Sequence, residues 1–267
     1  MDELILKAVE RVIRAMQNNL GEPITIDDMA RTAMFSKFHF SRMFQRVTGI
    51  SPGRFLSALR LQEAKRLLLT SSLTVADISH LVGYNSIGTF SSRFRMSVGI
   101  SPTSYRQFEG YVPPLAEHQS PGWHRHGDGT EVRGQVHQQL SASPVAPGHV
   151  VVGVFGDRIA QGMPVRHATL SSPGEFVLPG VPDGTWYLLA QSVAVGTDEH
   201  TGRDEVYVAA LGPLTVSAGM PAQPVDLWLR PRRIFDPPAL LAQLDESMWT
   251  ARARVPGGAE EAALPGA

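Results

Sequence analysis

The sequence holds no cysteine among its 267 residues. That excludes disulfides, thiolate metal sites and a cysteine nucleophile, and it suits a reducing cytoplasm. No apolar run approaches the roughly 20 residues that a membrane span needs. The first residues, MDELILKAVERV, carry acid where a secretory leader carries base. Lysine is scarce, with three residues against 21 arginines. These shortages predict a soluble cytoplasmic protein, and the length leaves room for two domains. The net charge of −1 points to no partner by itself, but it hides an asymmetry. Residues 1–110 carry 14 Lys and Arg against 9 Asp and Glu, whereas residues 111–267 carry 10 against 16. A basic half joined to an acidic half suggests that only one half meets a polyanion.

What the sequence does have is a repeat. GISP occurs at Gly49–Pro52 and again at Gly99–Pro102. Upstream of each copy Phe40 matches Phe90, and Phe44 matches Phe94. Further back, ITIDDMA (Ile24–Ala30) matches LTVADIS (Leu73–Ser79) at a spacing one residue shorter. Self-similarity at this period marks a duplicated supersecondary unit.

Each copy follows one local grammar. Leu4, Ile5, Ala8, Val9, Val12, Ile13 and Met16 share one stripe of a helical period of about 3.6 residues, and Gly21 with Pro23 ends that helix. Thr25 then caps a short helix to Thr32, with Asp28 completing a capping box. Ser36 caps a second helix, Lys37 to Thr48, which Gly49 terminates. In the second copy Thr74 caps 75–82, Gly83-Tyr84-Asn85 turns, and Ser86 caps Ile87–Val98 before Gly99. A connecting helix, about Pro52 to Leu69, carries Phe55, Leu56, Leu59, Leu61, Ala64, Leu67 and Leu68. Two short helices joined by a tight turn form a helix-turn-helix. In the second helix of each copy the phenylalanines define a greasy face. Lys37, Ser41, Arg42, Gln45 and Arg46, then Thr89, Ser92, Arg93 and Arg95, are left for a polar one. Such a face suits a major groove, where Arg forks onto guanine and Gln onto adenine.

GYNSIGTFSSRFRMSVGISPTSYR (Gly83–Arg106) resembles the signature of the AraC/XylS transcription regulators, and SKFHFSRMFQRVTGISPGRF resembles the first helix-turn-helix of the same domain. The resemblance covers about residues 3–108. It implies a seven-helix domain whose two recognition helices, about 37–48 and 86–98, enter successive major-groove segments on one face of double-stranded DNA. It assigns base reading to Phe38, Ser41, Arg42 and Gln45 in the first helix, and to Ile87, Gly88, Thr89, Ser92 and Arg93 in the second. Lys37, Arg46, Arg95 and Arg106 are assigned to phosphate, Arg106 because it lies where the family contacts the backbone. Ile87-Gly88 is a departure from commoner members, nearly mute in hydrogen bonding. That helix is expected to read shape and thymine methyls more than forked polar pairs. Some AraC-like chains couple DNA binding to alkyl repair, which needs cysteine chemistry absent from this chain.

The second half reads differently. Residues 111–130 form a Pro/Gly/His-rich linker without period. Its His124-Arg125-His126 is read as linker, because two histidines at alternate positions with no Cys or clear carboxylate partner do not define a metal site. Residues 131–236 show about eight short strands between turn residues, predicting a β-sandwich. Leu170–Ala190 resembles the hairpin of transthyretin-like, carboxypeptidase-regulatory-type sandwiches. Residues 237–250, around Pro238–Trp249, read as one amphipathic helix, and 251–267 as a disordered tail. The acidic loop Gly196–Glu205 is long for a hairpin and can shape a ligand mouth or a partner surface, although such a loop is more often simply solvated.

The expectation is therefore an all-α DNA-binding domain (1–110) followed by an all-β domain, acting as a sequence-specific transcription regulator and not as an enzyme. Its expected partners are DNA and RNA polymerase, with no membrane, cofactor or metal. Two roles stay open for the β domain: sensing a small-molecule effector, or mediating protein contact such as homodimerisation. A pocket lined by Trp186, Tyr187 or Trp228 marks the first; a flat exposed apolar face marks the second. The rival for the whole chain is an architectural DNA binder without gene-specific control.

Overall fold

The computed structural model describes residues 3–112, 129–139, 147–194, 206–217 and 223–242. His124–His126, the Gly196–Glu205 loop, residues 243–250 and the 251–267 tail lie outside the described residues.

Seven helices come first: α1 Glu3–Asn18, α2 Ile26–Ala33, α3 Lys37–Thr48, α4 Pro52–Thr70, α5 Val75–Leu81, α6 Ile87–Val98 and α7 Pro102–Gln107. Their ends lie within a residue or two of the punctuation in the sequence. Thr25 and Thr74 each form a capping box, with Asp28 and Asp77. Gly49 and Gly99 close α3 and α6 with φ of 82° and 98°, a region that glycine enters without steric cost.

α1–α3 surround one core and α5–α7 another. α4 serves both. Phe55, Leu56 and Leu59 enter the first core, while Ala58, Leu61, Ala64 and Leu68 enter the second. A helix packed on two sides must be apolar on more than one face. The units also touch directly. A Cβ on Gly21 would lie 2.8 Å from the Leu81 carbonyl oxygen, and one on Gly83 2.5 Å from that of Leu20. Val112 is buried in the second core, so the helical half runs slightly past residue 110.

Seven strands follow: β1 Thr130–Gln138, β2 Pro147–Phe155, β3 Arg166–Leu170, β4 Glu175–Val181, β5 Gly184–Ala194, β6 Val206–Val216 and β7 Val225–Pro231. They form one sheet in the order β3-β2-β5-β6-β7-β1-β4, parallel at β1–β7 and antiparallel elsewhere. Arg166 on β3 donates to the Pro179 carbonyl of β4 at 2.9 Å, so the two edges meet and the sheet nearly closes into a barrel. Val132, Val152, Phe176, Leu188, Tyr207 and Leu227 are among the side chains that fill it.

Three expectations need correction here. The expected sandwich holds only in part: β2-β3-β5-β6 and β1-β4-β7 form two groups, but a short β6–β7 pairing joins them into one nearly closed sheet. It has seven strands rather than eight among the described residues, because 206–210 and 214–216 are one strand; the register shift between Trp186 and Leu188 absorbs the extra residue beside Gly212-Pro213. The segments flanking Pro182 do not form a hairpin. β4 pairs with β1, and β5 with β2 and β6, so the turn is an arch, held by the Trp186 indole donating to the Pro182 carbonyl at 2.8 Å.

The helix expected from Pro238 is also absent in its described part. Residues 237–242 run without helix, with Pro238, Leu240 and Ala242 buried. Pro237-Pro238 removes two donors. Leu240 N–H instead donates to Ala160 at 2.7 Å, and Ala242 N–H to Val98 at 2.9 Å.

Candidate nucleic-acid interface

Each candidate reading helix is pinned from behind by three aromatic rings. Phe40 and Phe44 sit 5.5 Å apart, with Phe55 of α4 5.5 Å beyond. Phe90 and Phe94 sit 5.7 Å apart, with Tyr105 of α7 5.6 Å beyond. All six side chains are buried, and edge-on ring pairs add about 0.5–1.5 kcal/mol beyond burial. Phe55 and Tyr105 are themselves fifty residues apart. This third ring of the repeat was missed by the sequence reasoning, although SPGRF and SPTSY carry it at the same spacing as GISP.

With those faces buried, the opposite faces stand open. Lys37, Phe38, Arg42, Gln45 and Arg46 are exposed on α3, Phe38 by 84%. Ser41 is half-buried, and its hydroxyl donates to the Lys37 carbonyl at 2.9 Å, which leaves its lone pairs as acceptors. On α6, Ile87, Gly88, Thr89, Ser92, Arg93 and Arg95 are all exposed. Lys37 pairs with Asp27 at 3.2 Å in an exposed contact, worth little and readily exchanged. Among the described residues Arg42, Arg46, Arg93 and Arg95 have no ion pair. Four uncommitted guanidiniums on two exposed helix faces are available to anions or base edges.

Arg106 is not among them. Its Nε donates to Leu68 at 2.9 Å and its Nη2 to Leu73 at 2.7 Å. Its guanidinium closes the α4–α5 connection, a structural role beyond the phosphate contact expected of it. Arg60 performs the same service for the first unit, donating to Leu20 at 2.9 Å and Glu22 at 2.7 Å. Burial pushes the Arg60 pKa down from its ordinary value. These latches bridge residues 33–40 apart, and no local pattern announces them.

A cleft of about 370 Å³ lies beside the start of α6, lined by Gly53, Ser57, Arg60, Asn85, Thr89 and Arg93 among others. Asn85 was read only as a turn residue and Gly53 not at all, because the cleft exists only once the start of α4 meets the α5–α6 turn.

The three aromatic residues expected to line a pocket in the β half do not converge. Trp186 packs against the barrel core, Tyr187 carries the Arg158 guanidinium 5.6 Å from its ring centre, and Trp228 is 57% exposed. Trp228 stacks on His137 at 4.5 Å, and His137 meets Asp226 at 2.8 Å. The described residues contain no cluster of ligating side chains suited to a metal ion, and no described helix is long and apolar enough to cross a membrane.

A family profile described as a helix-turn-helix domain matches residues 29–107. The chain is 31% identical over 98 residues to the HTH-type transcriptional activator AarP of Providencia stuartii, a match covering 37% of this chain and 73% of that protein. The chain belongs to the AraC/XylS family of DNA-binding transcription regulators. The chain spans under a third of another relative's length. Identity to the HTH-type transcriptional regulator GbdR of Pseudomonas aeruginosa is 32% over 107 residues, which are 40% of this chain but 29% of that protein. Among solved structures of the family, the C-terminal domain of AraT, a response regulator from Geobacillus stearothermophilus, is 28% identical with a TM-score of 0.37, over 40% of this chain and 86% of that one. These relatives are named as regulators, not as enzymes.

Proposed function

We propose that this regulator reads a two-part DNA sequence by laying α3 and α6 into successive major-groove segments. The observation that carries the reading is the duplicated three-ring support, which commits one face of each helix to a core and leaves the other polar and open. Arg42 and Gln45 suit forked base contacts, and Phe38 suits thymine methyls. Thr89, Ser92 and Arg93 supply the polar contacts of the second helix, while Lys37, Arg46 and Arg95 meet phosphate. RNA polymerase beside the site is the protein partner this implies, and the cytoplasm is where it works.

The helices are not equal partners in this proposal. α4 has 19 residues, so it is ~28 Å long at ~1.5 Å per residue. Successive groove faces of straight DNA lie ~34 Å apart. Either the duplex bends or one helix inserts partially. Bending a short site costs on the order of 1–6 kcal/mol, and Ile87-Gly88 offers few polar contacts to offset it. The first unit therefore dominates specificity.

Selection of sites from randomised DNA tests both points. Wild type should yield a two-part motif, whereas an architectural binder yields none. Arg42→Ala should relax one base position by ~1–3 kcal/mol. Ser41→Ala with Arg42→Ala should harm binding far more than Thr89→Ala with Ser92→Ala; equal or reversed losses would refute first-unit dominance.

For the β half, the dispersal of Trp186, Tyr187 and Trp228 favours contact with protein over capture of a small-molecule effector. The exposed Trp228 is the anchor expected in such a contact, including one between two copies of the chain.

A further inference from the structure

Two segments leave the β layer and cross to the helices. The first is the β2–β3 connection. Asp157 pairs with Arg54 at 2.7 Å, and Ile159 is buried in the core of the first unit. A few residues on, Gly162 N–H donates to the Ser97 carbonyl of α6. The second segment follows β7. Ile234 and Phe235 pack against the first core, whereas Leu240 and Ala242 are buried in the second. Lys65, itself buried in α4, donates to the Leu241 carbonyl at 3.1 Å. The two segments are joined by the Leu240–Ala160 bond, and Asp236 fixes the exit from β7 by taking both Nη groups of Arg230 at 2.6 and 2.7 Å.

The landing points are the repeated turns. A Cβ on Gly49 would lie 3.6 Å from Arg158 Cδ, and one on Gly99 3.0 Å from Met163 Sδ. One connection thus reaches both GISP copies, five residues apart along its own length. Those turns end the two reading helices. The tips of these twelve-residue helices lie ~17 Å away, so the straps do not mask the DNA face.

We propose that the β half is a brace that fixes the distance and angle between the two reading helices, so that the protein demands one spacing between its two DNA segments. This rests on the groove reading above. Without straps the units share α4 and the close approach of Gly21 to Leu81 and of Gly83 to Leu20. With straps, swinging one reading helix against the other must expose Ile159, Leu240 or Ala242. The short span of α4 is then met by bending of the duplex or by shallower seating of α6, and not by a swing between the units.

The test uses the full chain and the two-part site that it selects. One inserted base pair turns the second segment by roughly 35° and moves it ~3.4 Å. Wild type should lose ~10-fold or more in affinity per inserted pair. Ile159→Ser and Leu240→Ser should each keep the base preferences within both segments, bind the native spacing ~10-fold more weakly, and lose only ~2–3-fold on insertion, tenfold being ~1.4 kcal/mol. Hydrogen exchange at the amides of Gly162, Leu240 and Ala242 reports undocking, while protection within α1–α7 reports folding. If a serine variant unfolds the helices, Asp157→Ala combined with Met163→Ala, which leaves Ile159, Leu240 and Ala242 in place, carries the same readout. A spacing penalty that survives undocking overturns the brace alone, as do strap amides that exchange freely in wild type. A wild type that selects no two-part motif overturns the groove reading, and the brace with it.

Discussion

At the tip of α3 stand Lys37, Phe38 and His39; fifty residues on, the tip of α6 offers Ile87, Gly88 and Thr89. Behind those tips the side chains correspond almost one for one: Phe40 with Phe90, Phe44 with Phe94, Phe55 with Tyr105, Ile50 with Ile100, every one buried. Duplication preserved what the core requires, since a ring removed from a packed interior leaves a cavity. It left the exposed positions free to diverge. The difference teaches where information resides: the scaffold is written twice, and the message at each tip once.

The largest test of this correspondence is in the cores. Phe44→Ala and Phe94→Ala should each cost ~3–5 kcal/mol, read as the unfolding midpoint in urea. A large loss at one and none at the other would show that the two supports are not equivalent.

Next come the latches. Arg60→Ala and Arg106→Ala each strip hydrogen bonds from two or more main-chain carbonyls. Charged hydrogen bonds contribute ~1.5–3 kcal/mol, so thermal stability should fall by a similar amount in both. DNA affinity of Arg106→Ala should keep the wild-type dependence on salt concentration. A shallower slope would return Arg106 to the phosphate contacts.

The turns differ in a way that reverses the sign of an effect. Met34 holds φ 58° and is 76% exposed, where the second unit has Gly83 at φ 81°. A left-handed side-chain residue costs about 1–2 kcal/mol, and glycine's entropy returns part of that. Met34→Gly should therefore stabilise by about 0.5–1 kcal/mol. Gly83→Ala should destabilise, because its Cβ would meet Leu20 O at 2.5 Å and Arg60 Nη2 at 2.7 Å; overpacking typically costs ~1–3 kcal/mol. Denaturation of the pair of variants checks both signs.

The smallest expected effect is shared by the units. Hydrogen bonds from the Thr25 side chain and backbone hold the Asp28 carboxyl below the usual carboxylate range, and Thr74 does the same for Asp77. A carboxylate lowered on folding contributes stability above its unfolded value of ~3.9 and loses it as pH falls through the folded value. Both caps should fray together below about pH 4, seen as faster exchange of the Asp28 and Asp77 amides. One cap persisting well below the other would break the correspondence.

How much of this was legible follows from range. Caps, turns and buried helix faces depend on neighbours within a few residues, so Thr25, Ser36, Gly49 and the phenylalanines could be read directly. The candidate DNA face was legible for the same reason, being whatever the core leaves uncovered on α3 and α6. The structural role of Arg106 was missed because its partners, Leu68 and Leu73, lie across a loop that sequence spacing does not close. The residues 237–242 resembled a helix by pattern, but their donors go to Ala160 and Val98, far away in sequence. The arch at Pro182 resembled a hairpin because strand pairing is chosen by the whole sheet, not by the turn.

The straps also set an order of events at the ribosome. Domains fold as they emerge, N-terminal first, at about 5–20 residues per second. The helical half is complete by Val112, whereas the apolar side chains that seal it, Ile159, Leu240 and Ala242, emerge some 50 to 130 residues later. For roughly ten seconds a newborn chain carries finished reading helices with uncovered seats beside them. The protein becomes fully itself only when its last described residues arrive, so a truncated translation product would keep its DNA-facing side chains while presenting a sticky back to its neighbours.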